Sequence, residues 1–356
     1  MRPSVLFVLG AFACGDSVAT STPDGSTPGP DASTQDSALP GPDSGADGTA
    51  PSPGISAKYP GDQGIDKDPA VVWVENFEEG SVPNVTARYE SKQGDFALAS
   101  DVAPKSAGKS SGRFRASVQS NAADLYKKFP QSYDELFVRY YAKYQSGIHW
   151  HHSSVWLGGY APPTNYPNPQ AGLKPNGDDR IAVAFEPGDG TVTANPRMDF
   201  YNYWMTMHSW MDVPSGTTAY YGNALIHQKN VVENDGAWMC IELHVKLNPN
   251  VANAAGAELD LWKNDALIRH FDDQGPKGYW TKDKFCPDDS AMDGPECTAY
   301  APPSSTPREV LDLRWRSTTA LRLNYFWPQN YITEGPQGDV EYDDMIVATA
   351  RIGCLQ

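Results

Sequence analysis

The stretch RMDFYNYW sets Arg197, Asp199, Tyr201 and Tyr203 at every second position. In an extended strand such residues share a face, so a cation and the first phenol would lie within about 14 Å, and the second phenol within about 20 Å, at roughly 3.4 Å per residue. A guanidinium holds an anionic group, and a phenol can take or give a proton beside it. The bland alternative is a solvated Tyr/Arg face with no reaction. A second stretch, SGIHWHHSSVWLGGY, places three of the seven histidines, His149, His151 and His152, around Trp150 and ahead of Trp156 and a double glycine. Strand alternation points His149 and His151 together and His152 away, so the three converge on one ion only where a bend breaks the alternation. An imidazole neutral near pH 7 suits His152 to acid–base work or to hydrogen bonding a carboxylate. The alternatives are chance clustering at an exposed bend and a weak metal site. His208 and Lys229 are secondary candidates because they neighbour aromatic strands.

The elements that would position these residues read as strands. AVVWVENF, GRFRASV, ELFVRYYAKY, RIAVAFE, RMDFYNYWMTM, WMCIELHVKLN, AELDLWKN, ALRLNYFW and VEYDDMIVATARI mostly alternate with period two between Pro, Gly, Asn and Asp punctuation. In WMCIELHVKLN, Ile241, Leu243, Val245 and Leu247 face one way, and Glu242, His244 and Lys246 the other. With no βαβ rhythm and no useful amphipathic helix, the reading is one all-β domain, a two-sheet antiparallel β-sandwich with long loops. The chain has 10 Trp, 18 Tyr and 12 Phe, many among polar neighbours. Some then lie on a sheet face open to water. Aromatic rings stack on sugar C–H faces, and amide, hydroxyl and cationic groups bond sugar hydroxyls and carboxylates. The candidate saccharide contacts are Tyr140, Trp150, Trp156, Asn324, Trp327 and Gln329, with His208 and Lys229. Core packing is the competing use of these rings.

The beginning of the chain has a different composition. Residues 1–14, MRPSVLFVLGAFAC, carry Arg2, an apolar run and small residues ending at Cys14. That is the layout of an export signal, too short to span a bilayer as a mature helix. The cysteine after AFA resembles the lipobox of bacterial lipoproteins, which implies acylation of Cys14; an ordinary export signal is the alternative. Residues 15–57 are rich in Ser, Thr, Pro, Gly, Asp and Ala and read as a disordered tether. Residues 58–356 form the domain. A secreted or cell-surface location follows, with the membrane touched only through a lipid anchor.

Cys286 and Cys297 bracket a loop that cannot pack by itself and are expected to pair, which leaves Cys240 with Cys354. A zinc site is the alternative, without CxxC or Cys/His spacing to support it. The net charge is −16, and residues 1–57 contribute six aspartates against one arginine, leaving about −11 for the domain. That argues against nucleic acid and anionic membrane surfaces as partners. It weighs modestly against a polyanionic ligand without excluding a local groove.

Several stretches, in order over roughly residues 70–354, resemble the concanavalin-A-like jelly-roll polysaccharide lyases, the glucuronan and alginate lyases of families fourteen and twenty. ELFVRYYAKYQSGIHW resembles a Tyr-rich strand entering a Gly-containing turn. HHSSVWLGG matches a segment in which those enzymes usually place a lysine, where this chain has His152. DGAWMCIELHVKLNPN with GAELDLWKNDALIR, and LRLNYFWPQNYITEGPQGDVEYDDMIVA, resemble the paired and closing strands. The resemblance implies a polysaccharide partner and β-elimination across a uronate C4–O bond, without a catalytic cofactor. Arg197 and His152 would handle the carboxylate, and Tyr201 or Tyr203 would act as base and acid. The proline-rich connections and the loop at 275–308 depart from the family. Many jelly-roll domains also tie the first strand to the last with calcium, which would fall to Glu78 and Asp343 here. Hydrolysis by paired carboxylates is disfavoured, since no Glu-x-Asp-x-x-Glu run occurs. The rivals are a non-catalytic carbohydrate-binding surface lipoprotein and an adhesion protein that uses its aromatic patches as an interface.

Overall fold

The computed structural model describes residues 54–168, 171–187, 197–210, 219–226, 236–288, 297, 303 and 305–356. The export signal, Cys14, the tether up to residue 53 and Lys229 lie outside the described residues. The elements in chain order are β1 (Val71–Glu75), α1 (Val82–Thr86), β2 (Ser91–Ala99), β3 (Ser111–Arg115), β4 (Ala122–Tyr133), β5 (Glu135–Tyr144) and β6 (His152–Tyr160). There follow β7 (Arg180–Val183), β8 (Phe185–Pro187), β9 (Met198–Phe200), β10 (Met239–Lys246), β11 (Glu258–Lys263) and β12 (Ala266–Phe271). The last five are β13 (Lys277–Thr281), β14 (Lys284–Pro287), β15 (Glu309–Val310), β16 (Leu323–Tyr331) and β17 (Asp339–Ala348).

The all-β antiparallel architecture is as expected from the alternation, and its two layers are continuous. The main sheet runs β12-β11-β10-β5-β17-β3-β2-β4-β16-β6-β7, with β1 on β17. Strand β2 belongs to both layers, pairing with β4 through Ser91–Gly94 and with β3 through Asp95–Ala99. Two small sheets, β14-β13-β15 and β8-β9, complete the strands. One large core joins Phe114, Tyr140, Val138 and Tyr342 of the first layer to Leu125, Val155, Leu157 and Phe326 of the second. No helix among the described residues is long and apolar enough to cross a membrane.

The predicted strand RMDFYNYWMTM is ordered as a ladder only over Met198–Phe200. Beyond it Tyr203 makes a single bridge to Ala182, and Asn202 one to Asn223. The cause is Asp199, whose Oδ1 accepts the backbone N–H of Phe200, Leu225 and Ile226 and turns the chain onto a neighbouring loop. The domain also begins slightly earlier than residue 58. Ile55 and Ser56 are buried, with backbone N–H bonds to the carbonyls of Arg351 and Ile352. Both expected disulfides are present, Cys240–Cys354 and Cys286–Cys297, a feature of oxidising compartments.

Strand β10 follows its predicted alternation. Ile241, Leu243 and Val245 are fully buried in the core, each contributing about 1.5–3 kcal/mol of burial. On the opposite face His244 stacks on Phe137 at 4.1 Å and meets Asp260 through Nδ1 at 2.6 Å and Glu135 through Nε2 at 2.9 Å. Asp260 is shared with His270 Nδ1 at 2.5 Å. A row of charge therefore crosses β5, β10, β11 and β12.

Burial opposes protonation of His244, but its bonds to Asp260 and Glu135 outweigh it and raise the imidazole to about 9. The Asp260 hydrogen bond likewise lifts His270 to about 9 against burial. A folded-state value above the unfolded value of about 6.5 adds stability that is complete below about pH 6.5 and is lost as pH rises through about 9. The stability difference between the wild-type chain and His244→Gln, measured by urea unfolding, is therefore expected to be large at about pH 6 and to shrink steadily toward about pH 10. A difference independent of pH would contradict this account.

Candidate functional site

The site is built on the pairing of β6 with β16. Trp156 lies opposite Trp327, Ser154 opposite Gln329 and His152 opposite Tyr331. Directly paired residues share a face, so His152, Trp156, Trp327, Gln329 and Tyr331 line one surface of the second layer. Strand β4 adds Asp124 to the same surface, opposite Gln329. The two indoles approach to 5.8 Å, and Trp156 Nε1 donates to Gln329 Oε1 at 3.0 Å. The amide nitrogen of Gln329 has no hydrogen bond among the described residues, which leaves a donor for a ligand. Trp327, Gln329 and Tyr331 are half-buried, and Trp156 is buried beneath Tyr201.

Tyr201 and Tyr203 arrive from the segment after β9. The backbone of Tyr201 bonds to Ala184 and that of Tyr203 to Ala182, so both keep the extended parity read from the sequence. The Tyr201 ring stands edge-on to Trp156 at 6.0 Å and lies 4.6 Å from the His152 ring. Tyr203 Oη donates to Tyr201 Oη at 3.4 Å, and the Gly222 backbone bonds to both phenols. His152 Nδ1 meets Glu186 Oε1 at 2.8 Å.

Burial sets the protonation of this group. It pushes the His152 imidazole down to about 4, so the ring is neutral at pH 7. It pushes the Glu186 carboxyl well above the usual range, opposed only by the Ser153 backbone N–H. It also raises the phenols of Tyr201 and Tyr203, each further influenced by the other. The cluster is thus an uncharged set of proton donors and acceptors at the edge of an aromatic strip.

The structure brings together His152, Tyr201, Tyr203, Trp156, Trp327 and Gln329 from the sequence-based set. The described contacts of His152, Tyr201 and Tyr203 do not include Arg197, which is half-buried one residue ahead of β9. Tyr140, Trp150 and Asn324 are corrected from groove contacts to supports, because all three are buried and bonded inward. Tyr140 Oη donates to the Phe185 carbonyl, Trp150 packs edge-on to Tyr144, and Asn324 bonds both backbone groups of Tyr160. His208 stacks on Trp280 at 4.0 Å and lines a different cavity of about 420 Å³ with Lys174 and Arg314.

The histidine triplet also departs from simple alternation. Residue 151 is a bend just before β6, so its ring stacks on His152 at 3.9 Å instead of pointing with His149. His149 is held apart, its backbone bonded to Pro336 and its side chain against Gly335. Among the described residues the cluster spaced for a metal ion is His244, Glu258 and Asp260, not the triplet.

Sequence reasoning missed Glu186, Gly222, Tyr331 and Asp124. Tyr331 was within reach, since it continues the parity of Trp327 and Gln329. Glu186 and Gly222 reach the site from other segments and carry no local signal.

The expected calcium ligands differ in their fit. Asp343 accepts the backbone N–H of Ala103 and of Asp344 on its two oxygens, and Glu78 Oε1 accepts those of Lys109 and Ser110. The neighbouring Asp344 is buried, and its Oδ2 has no hydrogen-bond partner among the described residues. It faces a cavity of about 260 Å³ lined also by Asp62, Asp66, Asn76 and Glu78. An orphaned buried carboxylate oxygen beside further oxygen donors suits a hard cation.

No family model matches the chain, and no curated protein matches it. Among solved structures, it is similar to a marine family 14 alginate lyase from Aplysia kurodai, with 11% identity over 78% of this chain and 99% of the other, TM-score 0.46. Alginate lyase vAL-1 from a Chlorella virus is similar at 10% identity over 78% and 99%, TM-score 0.43. Alginate lyase Aly36B bound to an alginate tetrasaccharide is similar at 10% identity over 80% and 98%, TM-score 0.42. No residue role is transferred at this level of identity.

A Cβ added at Gly222 would lie 2.3 Å from the Tyr201 ring. Gly222→Ala is therefore expected to push Tyr201 off Trp156 and His152. The check is Trp fluorescence together with whatever ligand binding or turnover the intact site shows; an unchanged spectrum and unchanged activity would contradict this placement.

Proposed function

We propose that the surface between Trp327 and His152 binds a uronate-containing polysaccharide and cleaves it by β-elimination. The observation that carries this reading is the contact of a neutral imidazole, His152, with two hydrogen-bonded phenols, Tyr201 and Tyr203, at the end of the Trp156–Trp327 strip. A sugar ring stacks on the exposed part of Trp327, and the Gln329 amide and the His152 imidazole hydrogen bond its carboxylate. Tyr201 is the phenol that meets both His152 and Trp156, and the Gly222 backbone favours its phenolate, so it serves as base. It removes the C5 proton, the C4–C5 double bond forms, the C4–O bond breaks, and the phenol pair returns a proton to the departing oxygen. Arg197, at the start of the segment that carries both tyrosines, remains the candidate cation for the substrate carboxylate.

The test is incubation with alginate, glucuronan and other polyuronates, following the ultraviolet absorbance of the unsaturated uronate end. Because burial raises the Tyr201 phenol, the rate is expected to climb as pH rises above neutrality, and Tyr201→Phe is expected to lower it by about a hundredfold or more. Silence on every polyuronate defeats the lyase reading. Silence with retention on a polysaccharide gel instead selects the binding module, which the Trp156–Trp327–Tyr331 strip would serve equally well.

We also propose that the cavity at Asp344 takes a calcium ion, with Glu78 and Asn76 as further oxygen donors. The ion would join the turn after β1 to β17 and take no part in the reaction. Burial pushes Asp344 up to about 6, so binding weakens as pH falls below that value. Calcium is expected to raise the melting temperature at pH 7.5 relative to a chelator, and Asp344→Asn to abolish the difference. No calcium effect on the wild-type chain removes the proposal.

A further inference from the structure

Glu186 comes from the short strand β8 and reaches the site from beneath. Its side chain is 2% exposed, and one oxygen sits 2.8 Å from His152 Nδ1. The other oxygen has no hydrogen-bond partner among the described residues. Among the described residues the groups that face it are the phenols of Tyr140, Tyr201, Tyr203 and Tyr342 and the Ser153 backbone N–H, and no described Lys or Arg acts on it. A carboxylate there would be a buried charge without a counter-ion, whereas a carboxylic acid is merely a buried hydrogen-bond donor. Among the described residues His152 is the one acceptor that its O–H meets.

This arrangement determines which imidazole nitrogen carries hydrogen. If Nδ1 accepts from Glu186, Nε2 must be the N–H of the neutral ring. Nε2 has no hydrogen bond among the described residues, and the His152 side chain is 17% exposed, so Nε2 is the nitrogen left for a ligand.

We propose that Glu186 is a positioning residue: its carboxyl O–H bonds to His152 Nδ1, presents Nε2–H to the bound uronate carboxylate, and passes its proton to Nδ1 as charge builds on that carboxylate. The inference rests on the elimination reading above. When the C5 proton leaves, negative charge accumulates on the carboxylate. The Glu186 O–H bond then breaks and an Nδ1–H bond forms, so a neutral pair becomes imidazolium beside carboxylate. When the C4–O bond breaks and that charge drains away, the proton returns to Glu186. No proton is gained or lost overall, and a positive charge exists only while the reaction needs it.

Nitrogen-15 NMR of the full chain with labelled histidine tests the first half without any substrate. The His152 signal, assigned by its loss in His152→Gln, is expected to show the Nε2–H tautomer at pH 7. Glu186→Gln keeps a donor toward Nδ1 and is expected to keep that tautomer, whereas Glu186→Ala is expected to give a mixture. An Nδ1–H tautomer in the wild-type chain, or no change in Glu186→Ala, overturns the positioning role. On a cleaved polyuronate, Glu186→Gln is expected to lower kcat about tenfold or more with KM within about twofold, because the amide donates a hydrogen bond but cannot release a proton. Wild-type kcat in that variant overturns the proton transfer. The tautomer result stands whether or not any polyuronate is cleaved, so failure of the elimination reading is distinguishable from failure of this one.

Discussion

The register between β6 and β16 is the constraint on which the site depends. A slip of β16 by one residue would turn Trp327, Gln329 and Tyr331 away from His152 and Trp156 to the other side of the sheet and send Pro328 and Asn330 into their places. A buried polar lock opposes that slip. Asn330 is fully buried, accepts the Ser153 hydroxyl at 2.6 Å, and donates to the carbonyls of Phe114 and Gly338 at 2.8 and 2.9 Å. Moving β16 would break all three bonds in a fully buried place, and each orphaned group would cost about 1–3 kcal/mol. Gly158 reinforces the lock, since a Cβ there would collide with the Ile181 carbonyl and the Tyr325 phenol. The double glycine of the sequence therefore reports close strand packing beside the site.

Similar burial gives opposite outcomes at two histidines in this fold. His244 is flanked by Asp260 and Glu135 and charges readily, so it serves as an ionic rivet across four strands. Among the described residues His152 has one carboxyl neighbour, itself buried without a cation, and stays neutral. The number of carboxylates around the imidazole, and the solvent that reaches them, decides between the two. Glu135 is 44% exposed and stays ionised, while Glu186 is 2% exposed and does not. The rivet lies on the outer face of the first layer, and the neutral imidazole lies where proton transfer would be useful.

Much of this was legible in the sequence wherever the information was periodic. Strand β5 occupies the segment read as ELFVRYYAKY, β10 alternates as expected, and Tyr201 and Tyr203 share a face as spacing required. What alternation does not encode is depth. Tyr140 and Trp150 look like groove aromatics because they flank polar residues, yet both fill the space between layers. Neighbours across strands were equally invisible. Glu186 and Gly222 touch the cluster from segments 34 and about twenty residues away from His152 and Tyr201, and only the fold joins them. The stacking of His151 on His152 shows the remaining limit, since one bend residue overrides the parity rule.

The charge of the chain, −16 overall, sits awkwardly with a polyanionic ligand until the groups of the site are considered one by one. Among the described residues the contacts of His152, Tyr201 and Tyr203 involve imidazole, phenol, indole and a buried acid, with no lysine or arginine among those contacts. Recognition by such a surface runs through hydrogen bonds and ring stacking, which ionic strength screens far less than paired charges. A strongly cationic groove would bind a uronate chain more tightly in the ground state. It would also stabilise substrate and transition state alike, and uniform binding does not raise kcat. Under the proposed reaction, a neutral surface that becomes charged only as the substrate carboxylate gains charge would favour the transition state selectively. The net negative charge of the chain would limit how tightly an anionic product is held.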